Sequence, residues 1–148
     1  MVTAAITKPS LTLKRRYNAP PARVFSAWTD PEKIKHWMGP GRITTILAES
    51  DARVGGRYRI VMHNPETGAE FDVRGVFREV IANEKLVYTW GGTPSPERET
   101  LVTVTFKKDG DGTLLTLTHE QFADEAARDS HNQGWDGALV KLEKYLER

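Results

Sequence analysis

The chain contains no cysteine, so disulfide bonds and thiolate metal sites are excluded. This absence is compatible with the reducing cytoplasm, where we expect the protein to act. An excess of charge of one sign is also missing, because 21 basic residues balance 20 acidic ones to a formal net charge of +1. Such a balance gives no electrostatic reason to expect binding to nucleic acid or to an anionic membrane.

Long apolar runs are missing as well, since none approaches the ~20 residues that a membrane-spanning helix needs. Residues Met1 to Lys8 lack the basic start and apolar core of a secretory signal, so we expect a flexible tail over residues 1–10. A chain of 148 residues, 39% of them apolar, can form one hydrophobic core. Residues 11–148 are therefore predicted to form one domain.

The first segment of this domain alternates between apolar and polar side chains. Leu11, Leu13 and Tyr17 fall at odd positions, and this period of two predicts a half-buried strand. Pro21 and Pro31 then stand where the first turn of a helix tolerates proline, because the missing N–H would have no partner there. Two short helices are expected to follow the strand.

Six further strands are expected between the short helices and the C-terminal region. Turns that contain glycine, proline or asparagine separate them. The segments are Ile43 to Asp51, Tyr58 to Met62, Phe71 to Val80, Leu86 to Trp90, Leu101 to Phe106 and Leu115 to His119. Short turns between consecutive strands imply antiparallel pairing.

The C-terminal region changes to a helical period. Apolar residues recur every three or four positions from Ala127 to Leu146, and Asp124 is suited to cap the helix. A helix from Asp124 to Glu147 would be about 36 Å long at roughly 1.5 Å per residue, enough to cross a sheet. The predicted fold class is therefore α+β: a curved, mostly antiparallel sheet of about seven strands, with two short helices and a long C-terminal helix across its concave face.

Three sequence segments are similar to those of a known superfamily. They are the segment from Pro20 to Pro31, the segment from Trp37 to Pro40, and the segment from Asp51 to Tyr58 with its D-x-R-x-G-G pattern. Together with the order of elements, they resemble the START-like, or SRPBCC, superfamily and its helix-grip fold. Within it, the chain resembles the branch of homologues of the activator of the heat-shock chaperone ATPase. This resemblance implies the fold, whereas the functions in the superfamily range from lipid carriers and hormone receptors to cyclases.

Motifs for a metal, a nucleotide or an activated nucleophile are absent from the sequence. No serine stands in a G-x-S-x-G context, and neither glycine pair precedes a helix with the lysine of a phosphate-binding loop. No metal-ligand spacing joins the four histidines, His36, His63, His119 and His131. We therefore expect no cofactor and no metal.

Aromatic and apolar side chains indicate a different kind of site, a cavity between the long helix and the concave sheet. The strand members are chosen by parity, and Trp37 and Met38 end the second short helix, where the resemblance places the cavity mouth. His119 is predicted to hydrogen-bond the ligand, with Glu120 pointing away. The predicted ligand-binding residues are Trp37, Met38, Tyr58, Ile60, Met62, Phe71, Val73, Trp90, Leu117, His119 and Trp135.

Each of these features has a structural alternative. His119 could instead bond a backbone group at the end of the sheet, and the aromatic side chains could simply fill the core. The glycines of the last helix, Gly134 and Gly137, could leave the cavity open or permit close packing of the helix.

The leading functional hypothesis is a binding module that holds a small apolar or aromatic molecule in this cavity. The first alternative is a small enzyme of the acid–base lyase, cyclase or hydrolase type, in which His119, Glu120 or His63 transfers protons. The second alternative, which the resemblance implies, is a chaperone-associated interaction module. A nucleic-acid partner is not expected, and a protein partner stays open.

Overall fold

The computed structural model describes residues 8–92 and 99–147. Its elements are β1 (Leu11–Tyr17), α1 (Pro21–Thr29), α2 (Pro31–Ile34), β2 (Thr44–Ser50), β3 (Arg57–His63), β4 (Glu70–Ile81), β5 (Lys85–Gly92), β6 (Thr100–Asp109), β7 (Gly112–Glu120) and α3 (Glu125–Leu146). Residues 1–7, most of the predicted flexible tail, lie outside the described residues. The division into a tail and a domain therefore stays a prediction.

Seven strands form one antiparallel sheet in the order β1-β7-β6-β5-β4-β3-β2. Strand β1 lies at an edge beside β7, with Leu11 opposite His119 and Tyr17 opposite Thr113. The predicted place of this first segment in the same sheet as the later strands is thus confirmed, although two helices and five strands separate the two partners. The curled sheet, the short helices and the long C-terminal helix confirm the predicted α+β helix-grip class.

The concave face of the sheet carries the hydrophobic core. Leu117 lies opposite Leu13 on one side and Val104 on the other, and Val104 lies opposite Leu86. The side chains of Leu117, Val104 and Leu86 are fully buried. Burying each such side chain stabilises the fold by roughly 1.5–3 kcal/mol relative to leaving it in water. The register of the strands is fixed because a slip by one residue would expose this whole face.

The two short helices connect β1 to β2. Asp30 lies between them, and its carboxylate accepts a hydrogen bond of 3.0 Å from a backbone N–H in the first turn of α2. The sequence predicted that Trp37 and Met38 end the second short helix. Helix α2 instead ends at Ile34, so both residues lie in the turn that follows it. The indole N–H of Trp37 donates to the carbonyl of Ala27 at 2.8 Å, which fixes this turn against α1.

The long helix α3 packs across the sheet. The carboxylate of Asp124 caps it by accepting a hydrogen bond of 2.8 Å from the N–H of Ala127. At roughly 1.5 Å per residue, its 22 residues span about 33 Å. The hydroxyl of Tyr17 donates to the carbonyl of Leu139 at 2.9 Å and joins β1 to the helix. The apolar residues Trp135, Leu139 and Leu142 are buried against the sheet, as their helical spacing predicts, whereas Glu143, Lys144 and Glu147 are exposed.

Candidate functional site

A pocket of about 290 Å³ lies between the first half of α3, the turn after α2 and strands β3 to β5. Most of its wall is apolar, and none of the described residues that line it is a lysine, an arginine, an aspartate or a glutamate. The lining residues are Met38, Gly39, Pro40, Ile43, Met62, Phe71, Val73, Trp90, Ser130, His131, Gly134, Trp135 and Ala138.

Strands β3 and β4 form the sheet wall of the pocket. Met62 pairs with Phe71, and Ile60 pairs with Val73. Because side chains two residues apart share a face of a strand, Phe71 and Val73 both line the pocket. Val73 is buried, whereas Phe71 is 44% exposed and therefore stands at the mouth of the pocket.

One rim of the pocket is the turn formed by residues 39–43, which is held against α3 by two contacts. Lys141 donates hydrogen bonds from Nζ to two backbone carbonyls of this turn at 2.9 and 3.3 Å, and burial lowers its pKa. Pro40 packs so closely against Gly137 that a Cβ at Gly137 would lie 2.7 Å from the proline Cβ. The missing side chain of Gly137 therefore permits close packing of the rim on the helix.

Gly134, one turn earlier on the helix, has the opposite effect. It lines the pocket, and a Cβ placed on it would meet no other atom within 4 Å. A larger side chain at this position would therefore grow into the open space. Glycine inside a helix costs about 1 kcal/mol relative to alanine, and close packing gives no reason for it here. Of the two alternatives for the helix glycines, Gly137 follows one and Gly134 the other.

Two tryptophans form the inner wall of the pocket, Trp90 of β5 and Trp135 of α3. Their ring centroids are 5.1 Å apart at an interplanar angle of 52°. Trp135 also stacks on Trp28 at 6.1 Å, and Trp28 contacts Trp37 at 4.6 Å. Aromatic pairs at such distances stabilise by about 0.5–1.5 kcal/mol beyond the burial of their area. The inner wall is thus continuous with the aromatic core.

A chain of hydrogen bonds fixes the orientation of Trp135. Its indole N–H donates to His119 Nδ1 at 3.0 Å, and His119 Nε2 lies 2.6 Å from Thr100 Oγ1. Because an indole can only donate, Nδ1 is the acceptor and Nε2 carries the ring proton of the neutral imidazole. His119 therefore donates to Thr100, whose hydroxyl donates in turn to the carbonyl of Trp90 at 3.1 Å.

His119 is fully buried in the middle of this chain of bonds. Burial and, to a smaller extent, the neighbouring ring of His131 lower the pKa of His119 to about 2, so it is neutral. A neutral imidazole offers one donor and one acceptor, and both are used internally. To bond a ligand directly, as expected from the sequence, His119 would have to give up one of these partners. In this arrangement it positions Trp135 instead.

His131 is the titratable side chain that reaches the pocket. Its Nδ1 lies 2.8 Å from the carbonyl of Ala127, one turn earlier on α3. Because a carbonyl only accepts, Nδ1 carries the proton, and Nε2 of the neutral ring is then an acceptor. No hydrogen-bond partner of Nε2 is found among residues 8–92 and 99–147. Ser130, which is exposed, also contributes to the lining.

A second, much smaller space of about 20 Å³ lies deeper in the fold. It shares Met38 and Trp90 with the pocket, so these two side chains separate the two spaces. Three hydroxyl-bearing residues line this inner void, Ser50, Tyr58 and Tyr88. Burial raises the pKa of both tyrosines, which keeps them neutral. The buried Oγ of Ser50 has no hydrogen-bond partner within the described part of the chain.

The structure divides the predicted site residues into three groups. Six line the pocket: Met38, Met62, Phe71, Val73, Trp90 and Trp135. Four line the inner void: Tyr58 and Ile60, together with Met38 and Trp90. Three are buried without lining either space: Trp37, Leu117 and His119. The assignment of these residues to ligand binding stays a prediction.

The lining also contains residues that the sequence reasoning left out. Those on the helix are Ser130, His131, Gly134 and Ala138. Ser130, Gly134 and Ala138 follow one another at intervals of four, as do His131 and Trp135, and this helical spacing could have identified them. Those on the rim are Gly39, Pro40 and Ile43, for which no periodic signal exists. The other residues considered for acid–base chemistry, His63 and Glu120, lie at the ends of their strands and outside the lining.

Two structural features are absent from the described ranges. Over residues 8–92 and 99–147, no helix is long and apolar enough to cross a membrane. In the same part of the chain, no group of three or more histidine, aspartate or glutamate side chains is arranged to hold a metal ion.

The curled seven-stranded sheet, the long helix across it and the pocket between them define a START-like helix-grip protein. The family model described as "Activator of Hsp90 ATPase homolog 1-like protein" matches residues 18–147. The chain therefore belongs to this family, as the resemblance of its motifs suggested. No curated protein sequence matches the chain.

Solved structures of bacterial proteins share this fold. A protein from Chromobacterium violaceum has 27% identity and a TM-score of 0.85, and the match covers 94% of this chain and 97% of that one. The AHSA1 protein from Silicibacter pomeroyi has 25% identity and a TM-score of 0.81, with 94% and 98% covered. A protein from Nitrosomonas europaea has 26% identity and a TM-score of 0.79, with 93% and 94% covered.

Proposed function

We propose that this protein is a binding module that holds one small apolar or aromatic molecule in the pocket between α3 and the sheet. The observation that carries the proposal is the open space beside Gly134, where an added Cβ would meet no other part of the fold within 4 Å. A helix that only covered a core would gain stability from a larger residue at this position. Family membership agrees with this role, because a START-like module suits ligand binding.

The composition of the pocket wall favours binding over catalysis. Acid–base chemistry commonly uses two titratable groups that converge on the reacting atoms. Among the described lining residues only His131 has an ionisable side chain, because His119 lies behind Trp135 and outside the lining. Apolar walls with a few polar groups are typical of sites that bind by burial and orient their ligand with a hydrogen bond.

The size of the pocket sets the size of the ligand. Its volume of about 290 Å³ lies at the lower end of the roughly 300–1,000 Å³ that small-molecule sites occupy. One molecule of two or three fused or linked rings would fill it. The flat faces of Trp90 and Trp135 and the flexible side chains of Met38 and Met62 suit such a shape.

Binding can be tested with N-phenyl-1-naphthylamine, a neutral apolar probe whose emission rises in apolar surroundings. The protein should enhance this emission, and Gly134→Phe should abolish the effect by filling the pocket. Gly134→Ala is the matched control, since a single methyl group leaves most of the space open. Circular dichroism and urea unfolding would establish that both variants are folded.

A second blocking variant acts from the opposite wall. Val73→Trp places a large ring on β4 and should remove the same signal without touching α3. If folded Gly134→Phe and Val73→Trp both bind the probe as tightly as the wild type, the pocket is not the binding site and the proposed function is wrong.

A further inference from the structure

The four tryptophans of the chain differ in whether their indole N–H has a partner. Trp28 donates to the hydroxyl of Tyr88, Trp37 to a backbone carbonyl and Trp135 to His119. The N–H of Trp90 has no hydrogen-bond partner within residues 8–92 and 99–147. Trp90 is also the half-buried member of the set, and it lines the pocket.

His131 supplies the complementary atom. Its Nδ1–H is held by the carbonyl of Ala127, so Nε2 is left as an acceptor on a ring that lines the pocket. The ring centroids of Trp90 and His131 are 6.5 Å apart. The two rings are therefore neighbours, and a small polar group of a ligand placed between them can reach a polar atom of each at an ordinary hydrogen-bond distance of about 2.9 Å.

A charged group would find no counterpart in this pocket. The described lining contains no lysine or arginine that could pair with a carboxylate or a phosphate. Burying an unpaired charge costs far more than burying a hydrogen-bonded neutral group. The donor–acceptor pair of Trp90 and His131 is therefore a polar recognition element of the pocket.

Resting on the proposed function, we infer that the ligand is a neutral aromatic or apolar molecule with a hydroxyl group or an equivalent donor–acceptor group. The hydrogen of this group donates to His131 Nε2, and its oxygen accepts from the indole N–H of Trp90. The chemical class is that of phenols and apolar alcohols, and carboxylates of the same shape are rejected.

Three naphthalene derivatives separate these contributions as competitors of N-phenyl-1-naphthylamine at neutral pH. 2-Naphthol can donate and accept, 2-methoxynaphthalene can only accept, and 2-naphthoate is charged. 2-Naphthol should bind about threefold to tenfold more tightly than 2-methoxynaphthalene, the range for one net hydrogen bond, and 2-naphthoate should bind most weakly.

Two variants assign the preference to its residues. His131→Phe keeps a ring but has no acceptor, and it should make 2-naphthol and 2-methoxynaphthalene bind equally. Trp90→Phe removes the donor and should weaken the binding of both 2-naphthol and 2-methoxynaphthalene by about threefold to tenfold. His36→Phe is the control, because His36 stacks on Tyr145 and lies outside the lining.

The outcomes separate this inference from the proposed function. If the wild type binds 2-naphthol and 2-methoxynaphthalene equally well, and Gly134→Phe no longer binds the probe, the inference is overturned and the pocket remains a purely apolar site. Tight binding of 2-naphthoate would also overturn it. Probe binding that the blocking variants leave unchanged would remove both the proposed function and the inference.

Discussion

Replacing His119 by glutamine should remove a pH-dependent part of the stability of this fold. The imidazole is buried and neutral, with its pKa lowered to about 2, whereas an unfolded chain holds histidine near the ordinary value of 6.5. Well above about pH 6.5 the imidazole is neutral in both the folded and the unfolded state, so it adds no pH dependence to the stability. Below about pH 6.5 the unfolded chain takes up a proton that the folded chain does not, so the free energy of unfolding falls as the pH falls.

The size of the effect follows from the slope of about 1.4 kcal/mol per pH unit for one proton. Between pH 7 and pH 5 it amounts to about 2 kcal/mol, an order-of-magnitude value for one fully buried group. Glutamine also offers one donor and one acceptor but does not titrate. The stability advantage of the wild type over His119→Gln should therefore shrink by about 2 kcal/mol over this interval.

Urea unfolding of both proteins at closely spaced pH values measures this difference. Trp135→Phe is the control, because it removes the donor to Nδ1 but leaves the imidazole buried. It should lower stability by about 1–3 kcal/mol at neutral pH and keep the wild-type pH slope. Parallel curves for the wild type and His119→Gln would refute the reasoning, because they would show that the unfolded state gains no extra proton at this residue.

The packing of the core predicts three further results, each measured by urea or thermal unfolding. Leu139→Ala should lower the free energy of unfolding by about 2–5 kcal/mol, whereas Val140→Ala on the exposed side of the helix should change it by no more than about 0.5 kcal/mol. Equal effects would mean that the buried face of the helix is misassigned. Ser50→Ala should raise stability by about 1 kcal/mol, because it removes a buried hydroxyl without a partner in the described chain, and a loss instead would indicate that this hydroxyl is paired. Gly75→Ala should prevent folding, since its Cβ would lie 2.0 Å from a backbone oxygen, whereas Gly134→Ala should raise the free energy of unfolding by about 1 kcal/mol. Similar losses of stability in both variants would show that Gly134 has no more free space around it than Gly75.

The strands and the long helix could be predicted because each has one buried face with a regular period. Leu115, Leu117 and His119 alternate with threonines along β7, and all three are buried. Trp135 and Leu139 recur at the helical spacing along α3, and both face the sheet. A period of two in a strand, or of three to four in a helix, can be read within a short stretch of sequence, because burying one face of the element requires apolar residues at that spacing.

Helix α2 shows where this reasoning ends. The apolar residues Ile34, Trp37 and Met38 have helical spacing, yet the helix stops at Ile34. The side chain of Trp37 finds its hydrogen-bond partner in α1, and Gly39 adopts a φ of 106°, which turns the chain towards β2. Gly39 marks a stop within the local pattern, but the hydrogen bond of Trp37 depends on where α1 lies, so the local pattern could not reveal that the helix ends before Trp37. The rim of the pocket was missed for the same reason.

Parity assigns a residue to a face of the sheet but not to a distance from the helix. Leu117 and His119 are on the predicted face, and they lie beneath α3 where the helix fills the space. Phe71 and Val73 are on a predicted face as well, but they lie where Gly134 leaves the space open. Whether such a residue lies in the core or in the pocket therefore depends on the size of the residue that faces it on α3. Sequence periodicity does not show which residue of the helix faces which residue of the sheet.

The polar roles were the least predictable part of the site, because a hydrogen-bonding group is defined by what remains after its neighbours are satisfied. His119 stood out in the sequence as a histidine on an apolar face, but Trp135 and Thr100 use both of its nitrogens. His131 was considered only as one of four histidines without metal-ligand spacing. Its Nδ1 is used by a carbonyl of its own helix, which leaves Nε2 as an acceptor on a ring that lines the pocket. Burial thus gives the more conspicuous histidine a structural task and leaves the half-buried one available for recognition.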